Sequence, residues 1–201
     1  MKETTKEFLF LEFLDPEINA LLTGLRKEFS EKISHSNIHI TVRGPYKKRL
    51  TKIQIDKIWR KIKNDIILIC DTGLFNNCGF YIVYLKVKSE NLRGIWWKPD
   101  FQVSKHGFNP HITMYQGNNK ELAHKIKKFL GEENIQLLCS QFDLTPYVSK
   151  QETLFKKSDS TEMSNKQFLG LIHLGKIKAD ILQRAHNLVK YGEPTRKRIE
   201  S

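Results

Sequence analysis

Apolar and polar positions along the first half of the chain alternate between two periods, and the switches between them mark out elements. Lys6 to Leu14 carries the first apolar run and predicts a strand. Asp15-Pro16 then supplies an N-cap and a first-turn proline, and Ile18, Leu21, Leu22, Leu25 and Phe29 follow at helical spacing, so one buried stripe is expected. In the next stretch Ile38, Ile40 and Val42 alternate with His39 and Thr41, the period of a strand with one buried face, until Gly44-Pro45 ends it. Thr51 and Gln54 form a capping-box pattern with Leu50 placed to staple on Ile55, and the helix so begun turns Ile55, Ile58, Trp59 and Ile62 inward. Asp65 to Asp71 predicts a short buried strand, which completes a β-α-β-α-β order.

The order then recurs. Gly79 to Lys88 alternates as a strand, a short helix is expected over 92–97, and Asn109-Pro110-His111-Ile112-Thr113-Met114-Tyr115 repeats the pattern of Asn37-Ile38-His39-Ile40-Thr41-Val42-Arg43. Asn118 or Asn119 caps a helix with Leu122, Ile126, Phe129 and Leu130 on one side and Gly131 at its end, and 134–144 closes the unit as a strand. The two motif histidines are 72 residues apart (111 − 39), about one unit, which indicates a two-fold internal repeat. The expected organisation is a domain over 1–144, with a first lobe at about 6–72 and a second at about 79–144. Residues 145–163, rich in Ser, Lys, Thr and Asp, predict a mobile loop, and 164–201 a helical extension. In that extension Phe168, Leu171, Leu174, Ile177, Ile181, Ala185 and Leu188 step by three or four residues, a helix over 165–191 stopped by Gly192 and Pro194. Such a stripe needs cover. Bracing of one lobe in a monomer is favoured over pairing with a second copy in a homodimer.

Composition narrows this little. The chain has 201 residues, 39% hydrophobic and 28% charged, in the range of a globular protein. Lys and Arg total 34 against 22 Asp and Glu, a formal net charge of +12, which favours a polyanionic partner without naming it. Phe8 to Leu14 is too short for a signal segment or a span, so no membrane is expected. Cys70, Cys78 and Cys139 are odd in number and widely spaced, with no C-x-x-C pair, and predict reduced thiols in a cytoplasmic protein.

The repeated His-Ile-Thr carries the chemistry. On a strand, His39 and Thr41 share one face while Ile38, Ile40 and Val42 take the other, and His111 and Thr113 do the same in the second copy. A single His-x-Thr is most often a surface or core feature. Core packing, however, has no reason to place the same polar pair twice on matched strands. Two imidazoles titrating near neutrality can divide the work on a phosphodiester, one taking a proton from water or a ribose hydroxyl and the other giving one to the departing oxygen. Threonine hydroxyls can donate to the non-bridging oxygens. Metal sites built on His35 and His39, or on His106 and His111, would straddle strand and turn with no carboxylate at helical spacing, so neither a metal nor another cofactor is expected.

On these motifs and this lobe order, roughly over residues 6–144, the sequence resembles the two-histidine (2H) phosphoesterase superfamily. The resemblance implies an α+β, bilobed, pseudo-two-fold fold with two β-α-β-α-β lobes, antiparallel-rich sheets and a central cleft. It implies a metal-independent phosphodiesterase acting on RNA or oligonucleotides at 2′,3′-cyclic phosphates or 2′-5′ linkages. Relatives include proteins named as 2′-5′ RNA ligases and hydrolases of cyclic or linear oligonucleotide signals. It makes His39 and His111 the acid/base pair, and Thr41 and Thr113 the phosphate donors. The competing reading of another kind is a catalytically silent RNA-binding module, which the charge would serve equally.

Around the motifs, Arg43 is a candidate phosphate clamp on the face of His39 and Thr41. Tyr115, at the equivalent position of the second copy, is a candidate for phosphate binding or base stacking. Tyr46, Trp97 and Phe101 are candidate stacking surfaces, whereas Trp59 and Trp96 suit the core. From Arg43 to Lys63 nine basic residues face a single acid, Asp56. These line the outer face of the Thr51 helix, unless Lys47, Lys48 and Arg49 rim the cleft and draw in an oligonucleotide.

Overall fold

The computed structural model describes residues 6–30, 37–46, 50–96, 107–149 and 176–194. Among them are seven strands and five helices: β1 (Lys6–Phe13), α1 (Pro16–Phe29), β2 (His39–Tyr46), α2 (Lys52–Ile62), β3 (Ile67–Asn77), β4 (Phe80–Lys88), α3 (Leu92–Ile95), β5 (His111–Gly117), α4 (Lys120–Glu132), β6 (Leu137–Cys139), β7 (Phe142–Ser149) and α5 (Lys176–Tyr191). The fold is α+β, with two antiparallel sheets in the orders β2-β1-β7 and β5-β4-β3-β6.

Local chemistry sets the helix ends where the sequence places them. Asp15 Oδ1 accepts from the backbone N–H of Glu17 and Ile18, both at 3.0 Å, and the whole expected stripe of α1 is buried. Thr51 and Gln54 close the capping box on α2, and Asn119 Oδ1 accepts from Leu122 N at 3.0 Å to start α4. Gly131, expected to end α4, lies within its last turn instead, and Asn134 takes the left-handed conformation beyond it. Asparagine tolerates that conformation better than most residues, which frees the glycine from the role.

The strands depart from the expected lobes. β3, read as the last strand of the first unit, pairs with β4 and β6 in the second sheet, while β7 returns to pair along all of β1 in the first. Each sheet therefore holds a strand from the other half of the chain, and the lobe limits of 6–72 and 79–144 do not hold. β3 is also longer than 65–71. Asp71 has φ 51° at a bulge opposite β4, and the strand passes through it to Asn77. The segment 134–144 is two strands rather than one, split between the sheets, and residues 145–149 of the expected loop belong to β7. The remainder of that loop, 150–163, lies outside the described residues.

One apolar cluster runs through both sheets, from Leu9, Leu11 and Phe13 of β1 through Ile38, Ile40 and Val42 of β2 to Ile112 and Met114 of β5, with α1 and α4 packed on it. A shared core makes the two halves one folding unit, consistent with the exchanged strands. The start of β3 is tied down by Asp65, the one buried charged residue among those described. Its carboxylate accepts from Ser89 Oγ, from Asn91 N at 3.1 Å and from Asn91 Nδ2, and so anchors the first turn of α3.

Helix α5 braces the domain. It lies on α1 and α4 with Ala185 and Leu188 buried, and Leu182 seats over Gly24, where a Cβ would come within 2.9 Å of it. Arg184 forks onto the Glu133 carboxylate, and His186 Nδ1 meets Glu28 Oε2 at 2.8 Å. Phe168, Leu171 and Leu174 of the expected helix lie outside the described residues. No helix among those described is long and apolar enough to cross a membrane.

Candidate active site

Strands β2 and β5 come from different sheets, yet their Cα atoms approach within 8 Å. Ile38, Ile40, Ile112 and Met114 are fully buried, so His39, Thr41, His111 and Thr113 stand on the opposite, half-exposed faces, as alternation requires. The two imidazoles are near enough for the charge of His111 to act on His39.

The two halves of the site match in detail. His39 Nδ1 lies 2.7 Å from the carbonyl of Asn37, and His111 Nδ1 lies 2.8 Å from that of Asn109. A carbonyl only accepts, so each Nδ1 carries the proton, and each neutral imidazole presents Nε2 as its basic nitrogen. Across the ladders Glu12 opposes His39, Leu11 opposes Ile40 and Phe10 opposes Thr41. In the second sheet Lys86 opposes His111, Leu85 opposes Ile112 and Tyr84 opposes Thr113. Both ladders then slip by one residue, and Leu9 faces Arg43 as Val83 faces Tyr115.

These bulges overturn two expectations. Because an extra residue reverses which face follows, Arg43 and Tyr115 leave the side of the histidines and join that of the core residues Leu9 and Val83. Tyr115 is 5% exposed within the apolar cluster, and Arg43 Nη1 donates to the carbonyl of Ile95 in α3 at 3.4 Å. Both side chains therefore lie on the core side of their strands rather than beside the histidines, where the alternation had put them. The side chain of Tyr46, and Trp97 and Phe101 altogether, lie outside the described residues, as do Lys47, Lys48 and Arg49. Trp59 packs against the core, edge-on to Phe142. Trp96 is half-buried, edge-on to Phe108.

Aromatic rings that the motif gave no reason to single out support each imidazole. His39 stacks on Phe10 at 3.7 Å and 16°, and the far face of Phe10 stacks on Tyr147 at 4.7 Å and 22°. His111 leans on Tyr84 at 4.9 Å and meets Phe75 edge-on at 5.3 Å, and Tyr84 stacks on Phe75 at 4.4 Å. Phe10 and Tyr84 are both buried, yet both stand outside the main apolar cluster. Phe75 and Tyr147 are themselves 72 residues apart, in step with the histidines. Tyr84 also fixes the chain before His111, since its hydroxyl accepts from Asn109 Nδ2 at 3.0 Å. Its ring lies across Gly73 so closely that a Cβ there would come within 2.1 Å of Cζ. Gly73→Ala is therefore expected to displace Tyr84 and to cost ~1–3 kcal/mol of stability as an overpacked site. Thermal melting of that variant, with the His111 ring signals followed by NMR, checks it, and unchanged values in both would remove Tyr84 from the support of His111.

The surroundings of His39 set its protonation. Burial holds its pKa below the ordinary histidine value. The Asn37 carbonyl opposes this, Arg26 adds to the lowering, Glu12 works against it, and His111 lowers it slightly further. His39 is thus neutral at pH 7, with Nε2 open to a proton. The sign for stability follows: as pH falls below about 6.5, the ordinary value, the unfolded chain binds this proton before the folded one. His39 then destabilises the fold progressively until the pH passes the folded-state value. An NMR titration of the imidazole is expected to place it below 6.5, and a value above would reverse the assignment.

Among the described residues, no group of three His, Cys, Asp or Glu side chains is placed to hold a metal ion. Cys70, Cys78 and Cys139 are free thiols. The fold and site define a two-sheet α+β protein with paired histidine strands. Compared with family models, with curated proteins and with solved structures, the chain gave no match in any of the three.

Proposed function

We propose that this protein is a metal-independent phosphodiesterase with the two-histidine phosphoesterase fold, acting on RNA or oligonucleotide phosphodiesters, at a 2′,3′-cyclic phosphate or a 2′-5′ linkage. The observation that carries the reading is the duplicated imidazole geometry. Two histidines on neighbouring strands of different sheets have Nδ1 tied to the carbonyl two residues back, carry their basic nitrogen at Nε2, and stand beside a threonine hydroxyl. A proton acceptor and donor pair needs each ring held in one tautomer with the other nitrogen toward the substrate, and the same carbonyl bond does this twice.

In this scheme His39, kept neutral by burial, takes the proton from the attacking water as the water oxygen bonds to phosphorus. The bond from phosphorus to the departing ribose oxygen breaks, and His111, which enters this step as the imidazolium with Nδ1–H held on the Asn109 carbonyl, delivers its Nε2 proton to that oxygen, so that the cationic charge passes to His39. Thr41 and Thr113 donate to the non-bridging oxygens, which keep their charge throughout. The net charge of +12 favours an anionic substrate and raises its rate of encounter.

Purified protein in EDTA, offered 2′,3′-cyclic nucleotides, a 2′-5′ oligomer, an RNA with a cyclic end and cyclic oligonucleotides, tests the reading. Turnover of at least one, abolished by loss of either histidine, is expected. Tight RNA binding without turnover of any of them would replace it with the silent binding module.

A further inference from the structure

The acid/base scheme uses His39 and, through packing, Phe10, but it leaves the third ring of that column without a task. Tyr147 stacks on Phe10 with one face. It is 38% exposed, and β7 is the outer strand of its sheet among the described residues. Tyr191, at 68%, stands on α5 with the Lys190 ammonium 5.3 Å from its ring centroid. Phe75 holds the matching position in the other half and is half-buried. The two sides of the site therefore differ: one ends in a sheltered phenylalanine, the other in a tyrosine that reaches solvent.

We propose that Tyr147 is a nucleobase-stacking platform, so that the preferred substrate carries a nucleoside beyond the scissile phosphate on the β7 side and is an oligonucleotide rather than a mononucleotide. The proposal rests on the phosphodiesterase reading and adds a substrate class to it. Two ring spacings, 3.7 and 4.7 Å, separate the imidazole from Tyr147, so a phosphate at His39 and a base at Tyr147 belong to neighbouring parts of one strand. Phe10, sandwiched between His39 and Tyr147, holds the outer ring upright, which lowers the ordering needed when a base arrives. A π face accepts any base, so the platform selects for length over sequence. The tyrosine hydroxyl suits a ring with one end in water.

The test compares the full chain with Tyr147→Ala, Tyr147→Leu and Tyr147→Phe on an RNA trinucleotide ending in a 2′,3′-cyclic phosphate and on the corresponding mononucleotide 2′,3′-cyclic phosphate. Thermal melting of each variant runs alongside. Calorimetric binding of the trinucleotide and of its counterpart lacking the outer bases supplies a readout that needs no turnover. The Ala and Leu variants are expected to raise KM for the trinucleotide roughly 5- to 150-fold, the range of one base–aromatic stack. Any loss of support to Phe10 and His39 falls on both substrates alike, so the losses on the mononucleotide should be smaller by that factor, and Phe should behave as Tyr. Equal losses on both substrates would mean that the ring acts only by propping Phe10 and His39, and the platform would be withdrawn. It would be withdrawn equally if the trinucleotide bound no better than its base-free counterpart. Base-dependent binding that Tyr147→Leu removes, with no turnover of any substrate, would keep the platform and discard the catalytic reading.

Discussion

His39→Ala and His111→Ala are each expected to lower turnover ~10²-fold or more, since each removes one of two proton transfers in a single displacement. The double variant should lose far less than the product of the two, because an acid without its base has no concerted step to serve. KM should move little, as the threonines remain. The pH profiles separate the roles: with His39 intact, the acid limb of kcat/KM should fall below the ordinary histidine value, because burial and Arg26 both oppose its protonation. His111→Ala should keep that limb. Steady-state kinetics across pH, with EDTA present, decides this, and full activity in either single variant would remove that histidine from the mechanism.

Glu133→Ala is expected to destabilise the protein by ~1.5–3 kcal/mol, the range for losing hydrogen bonds to a charged group, here a part-buried guanidinium left without its main partner. The carboxylate is 9% exposed and the Arg184 guanidinium 17%, and the fork is closed by a second bond at 2.6 Å from Nη2. Asp180 also takes Arg184 Nε at 2.9 Å but is about half exposed, so it compensates only in part. The pair joins the end of α4 to α5. Its loss should loosen α5 from α1, uncovering Ala185 and Leu188. Replacing both partners by leucine should recover most of the stability, because no charge is then left buried. Urea unfolding of the three proteins checks this; a Glu133→Ala variant as stable as the parent would show that apolar packing alone holds α5.

The residues that the sequence identified correctly are those whose position depends on one element. His39 and Thr41 share a face because a strand alternates, whatever lies beside it, and Ile38 and Ile40 had to be buried for the same reason. Arg43 was misplaced by the same rule, carried one residue too far: Val42 sits in a bulge, and the slip is visible only against Leu9 and Phe10 of the neighbouring strand. Tyr115 failed identically behind Met114. Asp71 looked like a strand end. In the fold Asp71 is a bulge within one long strand, and Gly73 is small because Tyr84 lies over it.

Asn37 and Asn109 stood inside the repeated motif, yet side-chain chemistry gave them no role, since it is their backbone carbonyls that hold the histidines. Phe10, Tyr84, Phe75 and Tyr147 had no signal of their own. An aromatic on the outward face of a strand gains its meaning only from the ring that faces it, and Tyr147 fell in a polar stretch that composition marks as a loop.

The sequence by itself therefore determined the helices, their caps, the α+β class and the duplicated histidine strands, all of which follow from spacing over a few residues and the hydrogen bonds such spacing permits. Only the tertiary structure decided that β3 and β7 change sheets, that two bulges turn Arg43 and Tyr115 away, and that stacked rings support each imidazole. Those outcomes depend on which distant segments fit opposite one another, and pairing energies of that kind arise between residues that no local period connects.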